Sequence, residues 1–326
     1  MRKARNIFCL VLLLLTFSSC CETVVYYGQK VRINEDDLYL ASRAIEDVSD
    51  ITMFKNLKRL NLDNNWIKDI SPVFSCTELQ YLRLESNRID NITGIDKLNN
   101  LEVLCMSNNS IVDISQLSSL RRLKALNISD NKINDISALS NLSNLTALYM
   151  IRNPIEDHSP LKPLKNLEAL SIDGSGDLSC VSNSKNLKQL CIGENVSDIS
   201  AVSNFKNLER LELSSATVTN YSGVSSLKNL KYLILKNTTY SEELKNQIMG
   251  LENLEEITIT CAGMEVFELP PSVKKLKLID FPPGDDSQFA KLVHLEKLEF
   301  EFSEEVSRWR VPNIREIMPW CYVYGG

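Results

Sequence analysis

Apolar residues recur along this chain on a fixed ruler. Leu57, Leu79, Leu101, Leu123, Leu145 and Leu167 stand 22 residues apart through five consecutive intervals. Within each interval one phrase of apolar and polar positions returns, L-x-x-L-x-L-x-x-N-x-I-x-x-I. It reads L-K-R-L-N-L-D-N-N-W-I-K-D-I from Leu57 and L-Q-Y-L-R-L-E-S-N-R-I-D-N-I from Leu79. It returns as L-E-V-L-C-M-S-N-N-S-I-V-D-I from Leu101 and L-K-A-L-N-I-S-D-N-K-I-N-D-I from Leu123. A repeat of this length cannot bury its apolar set alone, so neighbouring copies must stack into a solenoid.

The L-x-L pair of each copy predicts a short strand. Its two apolar side chains point inward and the residues around them point out, by the two-residue alternation of β structure. The strands then stack side by side into a parallel sheet. Twenty-two residues leave too little chain for a full helix on the return path, which predicts tight loops and short 3-10 turns there. Asn65, Asn87, Asn109, Asn131 and Asn153 recur where the chain leaves the strand. Buried backbone groups at such a bend need partners, and an amide side chain carries both donors and an acceptor. The row reads as a structural ladder.

The pattern extends backward through Leu38, Leu40, Ile45, Val48, Ile51 and Phe54, with Arg43 in the asparagine position. Forward, strands centre on Leu190-x-Ile192, Leu211-x-Leu213, Leu233-x-Leu235, Ile257-x-Ile259, Leu276-x-Leu278 and Leu298-x-Phe300. There Ala216, Thr238 and Ala262 replace the asparagine. About 13–14 turns are expected in all, as an α/β solenoid with repeats over residues 35–308. In S-E-E-L-K-N-Q-I-M-G-L, Ser241 can cap a helix, and Glu242 and Glu243 suit its positive end. One short helix is placed there. Residues 309–326 read as a last strand and cap, with Trp320 and Tyr322 as lids.

The quoted phrases are those of leucine-rich repeats. Asn131 to Leu145, N-K-I-N-D-I-S-A-L-S-N-L-S-N-L, resembles the 22-residue repeats of internalins and related bacterial surface proteins. The resemblance covers roughly residues 35–320 and is strongest over 57–167. It implies a curved horseshoe whose concave face recognises a protein partner. Unlike wall-anchored relatives, the chain carries no L-P-x-T-G signal.

The N-terminus changes the picture of where such a protein would act. Arg2, Lys3 and Arg5 precede an apolar stretch from Ile7 to Phe17, of secretory-signal length and short for a bilayer span. F-S-S-C follows and is similar to the lipobox of bacterial lipoproteins, with Phe17 in the place usually held by leucine. The likeness implies a signal peptide over 1–19, acylation of Cys20, and a tether and cap over 20–34. Ordinary signal cleavage nearby is the alternative. Removing residues 1–19 takes away three basic side chains and no acidic one, which leaves 33 Lys+Arg against 42 Asp+Glu, or −9. A nucleic-acid partner is excluded on that balance, because phosphate binding needs a basic face. Membrane contact is expected only through the anchor.

The nine cysteines do not read as a disulfide framework. Cys105 and Cys191 face outward four turns apart, roughly 20 Å at the strand spacing, and a disulfide needs Cα atoms within about 7 Å. Cys76 stands where other turns have Leu98, Leu120 and Leu142 and reads as core. The two histidines, His158 and His294, lie about six turns apart and cannot share a site. The sequence shows no metal-ligand spacing and no nucleotide-binding glycine pattern. No catalytic residue, cofactor or metal is assigned, and Asp69, Asp90, Asp113 and Asp135 read as loop carboxylates.

A binding surface is more legible. The outward strand positions form a concave grid whose centre is small and nearly uncharged. Tyr39, Arg59, Tyr81, Arg83, Tyr149, Ile151, Arg210 and Tyr232 are its candidate contacts, tyrosine and arginine being favoured interface anchors. Trp66 stands on the flank. The expected function is therefore a non-catalytic surface lipoprotein that binds another protein. A glycan or peptidoglycan ligand, stacked on Tyr39, Tyr81 and Tyr149, and a role as accessory subunit of an envelope complex are the alternatives.

Overall fold

The computed structural model describes residues 23–32, 35–173, 178–214, 218–238, 240–260, 268–280, 286–301 and 311–325. Cys20, the leader, Ala216, Cys261 and Ala262 lie outside them. Two strands, β1 (Thr23–Tyr26) and β2 (Gln29–Arg32), form an antiparallel hairpin. Then come β3 (Asp37–Tyr39), β4 (Arg59–Asn61), β5 (Tyr81–Arg83), β6 (Val103–Cys105), β7 (Ala125–Asn127), β8 (Ala147–Tyr149) and β9 (Ala169–Ile172). The series continues through β10 (Gln189–Ile192), β11 (Arg210–Leu213), β12 (Tyr232–Leu235), β13 (Glu256–Thr260), β14 (Lys275–Ile279), β15 (Lys297–Glu301) and β16 (Tyr322–Gly325). Strands β3 to β16 make one open parallel sheet of 14 strands in chain order.

Register follows the ruler. Arg59 pairs with Tyr81, Tyr81 with Val103, Val103 with Ala125, Ala125 with Ala147 and Ala147 with Ala169. Leu57, Leu79, Leu101, Leu123, Leu145 and Leu167 are all fully buried. Each such side chain contributes roughly 1.5–3 kcal/mol before conformational entropy is counted. Return paths are 3-10 turns such as Ser71–Ser75, Ser115–Ser119 and Ser137–Asn141. They begin on Asx turns: Asp69, Asp113 and Asp135 each accept the N–H of the serine two residues on, at 2.8–2.9 Å. Those hydrogen bonds hold the Asp69 and Asp113 carboxyls below the usual carboxylate range.

The asparagines close the other bend. Asn131 Nδ2 donates to the carbonyls of Met106, Ile128 and Ser129, and its Oδ1 accepts the N–H of Ile111 at 3.0 Å. Asn65, Asn87, Asn109 and Asn153 repeat the pattern one turn apart. The residue before each one, Asn64, Ser86, Asn108, Asp130 or Arg152, is left-handed, with φ near +55°. Thr238 fills the position with a hydroxyl and reaches the carbonyls of Leu213 and Lys236.

Helix α1 (Glu242–Ile248) stands where Ser241 caps it, its side chain accepting the N–H of Leu244 at 3.2 Å. A second helix, α2 (Val311–Ile317), occupies chain that the sequence reading gave to the last strand and cap. Ile314, Met318, Cys321 and Val323 close the end of the core, while Trp320 and Tyr322 are exposed. The two aromatics are not lids. Val323 takes the inward strand position, so Tyr322 and Tyr324 turn outward. At the other end Tyr26 and Val31 of the hairpin are buried, Tyr26 edge-on to Phe54 at 5.2 Å.

Candidate functional site

Rigid strands hold the concave grid, and the central outward residue of each strand stands between two buried apolar neighbours, as Tyr39 does between Leu38 and Leu40. Among the sequence-predicted contacts, Tyr39 and Tyr81 are 55% and 38% exposed. Arg59 and Arg83 are exposed as well, whereas Tyr149, Ile151, Arg210 and Tyr232 are half-buried. Tyr149 and Ile151 stand on and just beyond β8, away from the Tyr39–Tyr81 end, so the candidates do not form one cluster.

The arginines are already engaged. Arg59 lies 2.6 Å from Asp37 on the neighbouring strand, and Arg83 lies 2.6 Å from Asp63 and 3.4 Å from Glu85. Arg210 is 3.9 Å from Glu212, which Lys236 approaches to 2.7 Å. A partner would meet these as pairs of small net charge. Between them, β6 to β9 present Val103, Ala125, Ala147 and Ala169 in one column and Cys105, Asn127, Tyr149 and Ser171 in the next, with no charged side chain.

One column differs from the sequence reading. The alternation that follows the L-x-L pair would turn Asp63, Ser107 and Ser129 outward, yet they are 5–7% exposed. The strand has ended by that point, and the bend toward the asparagine lets the next turn cover them. Asp63 Oδ1 accepts the N–H of Glu85 at 2.8 Å. In the same column Asp173 Oδ1 accepts the N–H of Glu194 at 3.0 Å, and a Cβ on Gly193 would run into that carboxylate. These residues shape the floor and are not free to bind.

The sequence reading took Tyr322 for a lid and did not name Tyr324, so neither stood among its candidate contacts. Tyr322 and Tyr324 are 66% and 45% exposed, in register with Lys297 and Glu299, which pair at 2.9 Å. Aligning Val323 with Leu298 in the strand phrase would have revealed them. Trp66 is exposed on the flank and lies under Arg88, whose guanidinium carbon is 5.5 Å from the ring centroid. It covers its neighbouring turn.

The titratable groups offer little chemistry. Cys76 is buried and donates to the carbonyl of Phe54 at 3.5 Å. Burial pushes the thiols of Cys105 and Cys191 up, Cys191 to about 11, which disfavours the reactive thiolate. Cys76, Cys105, Cys191 and Cys321 are free thiols. His158 occupies the place of Ile114 and Ile136, and burial lowers its pKa. His294, with Glu268 and Lys291, borders a cavity of about 150 Å³ whose remaining lining is apolar, from Met249 to Leu295. Among the described residues no three His, Cys, Asp or Glu side chains are grouped to hold a metal, and no helix is long and apolar enough to cross a membrane.

A family model for leucine-rich repeats in two copies matches residues 55–97 and 99–141. No curated protein matches the chain by sequence. Among solved structures, an internalin (inlF) from Listeria monocytogenes is 22% identical over 91% of this chain and 89% of its own, with a TM-score of 0.69. A leucine-rich repeat protein from Leptospira interrogans is 24% identical over 85% of this chain and 74% of its own, with a TM-score of 0.63. The Arabidopsis receptor kinase HAESA, solved with a peptide hormone and a co-receptor, is 17% identical over 89% of this chain and 58% of its own, with a TM-score of 0.57. The chain is a leucine-rich repeat solenoid, of the fold that internalin structures share.

Proposed function

We propose that the chain is a non-catalytic, lipid-anchored protein of the bacterial cell surface that binds a protein partner through its concave face. The observation that carries this reading is the concave sheet itself. Open tyrosines, Tyr39 and Tyr81 at one end and Tyr322 and Tyr324 at the other, stand on rigid strands beside charges already paired within the sheet. Rigid aromatic anchors lose little conformational entropy on binding. HAESA, which shares the fold, was solved in complex with a peptide hormone and a co-receptor, and this supports a protein-binding reading. The lipobox-like F-S-S-C supports the anchor, with Cys20 as the acylated residue.

The test is crosslinking capture from intact cells, with the native chain beside a Tyr39→Ala/Tyr81→Ala/Tyr322→Ala variant of unchanged melting temperature. A protein captured by the native chain and lost by the variant supports the reading. The exposed tyrosine rings also suit a glycan. Saturable binding of purified wall polysaccharide by the native chain, lost in the same variant, would favour that ligand.

A further inference from the structure

We propose that the N-terminal hairpin rests on the lipid surface, so that the solenoid stands on its first turn and presents its last turns away from the membrane. This rests on the lipid-anchored reading. Only Cys21 and Glu22 separate Cys20 from Thr23, where β1 begins. At 3.3–3.6 Å per residue, that tether spans at most about 10 Å whatever its conformation. Diacylglyceryl attachment would place the cysteine at the headgroup layer, which is itself roughly 5–8 Å thick on each side of the hydrocarbon. A tether this short holds the hairpin against the layer.

The hairpin is shaped for that contact. Tyr26 and Val31 are buried against the core, and the alternation of β1 turns Val25 to the outer face, 67% exposed. Tyr27 at the tip is 38% exposed, and its hydroxyl donates to the carbonyl of Asp47, which fixes the ring on the cap. Arg43 Nη1 donates to the Tyr27 carbonyl at 2.6 Å, and Arg32 is exposed on the same hairpin. A valine, a tyrosine and arginines suit a headgroup interface, where amphipathic side chains keep an apolar body and a polar tip. Glu35, Asp36, Glu46, Asp47 and Asp50 are exposed nearby and would repel anionic headgroups. The occupant is therefore a zwitterionic bilayer surface, held close by the anchor and not by charge. With 14 strands at about 4.8 Å, β16 lies roughly 60 Å along the sheet from β3. Tyr322 and Tyr324 stand at that distal end.

The experiment uses the full chain, expressed in a host that processes lipoproteins and reconstituted in phosphatidylcholine vesicles containing a diazirine phospholipid. Mass spectrometry of the N-terminal peptide reads acylation, and the same digest maps the photo-crosslinks. Acylated Cys20 with crosslinks on residues 23–32 and around Arg43, and none at Tyr149 or Tyr322, is expected. Val25→Glu should keep acylation and melting temperature and lower the hairpin crosslinks severalfold. Crosslinks confined to the acylated cysteine, or spread over Trp66, Val112 and Val293, would overturn the docking while leaving the anchor intact. Yield unaltered by Val25→Glu would also overturn it. An unmodified Cys20 would instead remove the anchor, and the docking with it.

Discussion

The guanidinium of Arg83 lies 2.6 Å from Asp63, a carboxylate whose side chain is 7% exposed. Arg83 was a candidate contact from the sequence, but it also neutralises a buried charge. Asp63 keeps the Glu85 N–H if Arg83 is removed, but it loses its counter-ion. Arg83→Ala is expected to cost about 1–3 kcal/mol, reduced from the fully buried case because Arg83 is itself half in water. Arg59→Ala faces a more exposed Asp37 and should cost less than about 1 kcal/mol. Urea denaturation of the two variants checks the order. It also explains why a charge reversal at Arg83 would confuse misfolding with lost binding.

Asn131→Ala would leave three carbonyls and the Ile111 N–H without their side-chain partner in a buried bend. The expected loss is about 3 kcal/mol or more. Asn204→Ala, at an exposed asparagine outside the ladder, should be nearly silent. Equal effects in thermal melts would refute the ladder's structural role.

His158 gives a pH dependence with a defined sign. Burial lowers its folded pKa below the ordinary value of 6.5, so the unfolded chain takes up the proton first. The stability present above pH 6.5 is therefore lost as pH falls through that value. His158→Ile restores the residue type of the equivalent positions Ile114 and Ile136 and removes this slope. Melting temperature measured from pH 7.5 to 5 should decline more in the native chain than in the variant. Asp69, Asp113, Asp157 and Asp198 have lowered pKa values, so their contribution is lost only below about pH 4.

Backbone hand supplies a pair of opposite expectations. Ala44 is exposed at φ +54°, where a Cβ is unfavourable, so Ala44→Gly should stabilise by about 0.5–1 kcal/mol. Gly94 sits at φ +102°, and a Cβ there would meet the Phe74 ring at 3.1 Å. Gly94→Ala should destabilise. Calorimetry of the two variants would show shifts of opposite sign.

The ruler of leucines made the sheet, its register, the 3-10 returns and the asparagine bends readable, because each is a repeated local solution to the same burial problem. Helix α1 was readable from its cap. The hairpin β1–β2 was not, since a turn through Tyr27 and Gly28 interrupts only four residues of alternation on either side. Helix α2 was read as part of the last strand because seven residues with Pro312 carry little period. Among the candidate contacts, the outward direction of Tyr39 and Tyr81 followed from alternation. The ion pairs that occupy Arg59 and Arg83, and the covering of Asp63 and Ser129, depend on neighbouring turns and could not be read from one turn alone.

The most direct measurement is the crosslinking capture from intact cells with the native chain and the Tyr39→Ala/Tyr81→Ala/Tyr322→Ala variant, both folded to the same melting temperature. A partner protein recovered with the native chain and absent with the variant is the predicted result. The same proteins recovered with both would contradict recognition through the concave face.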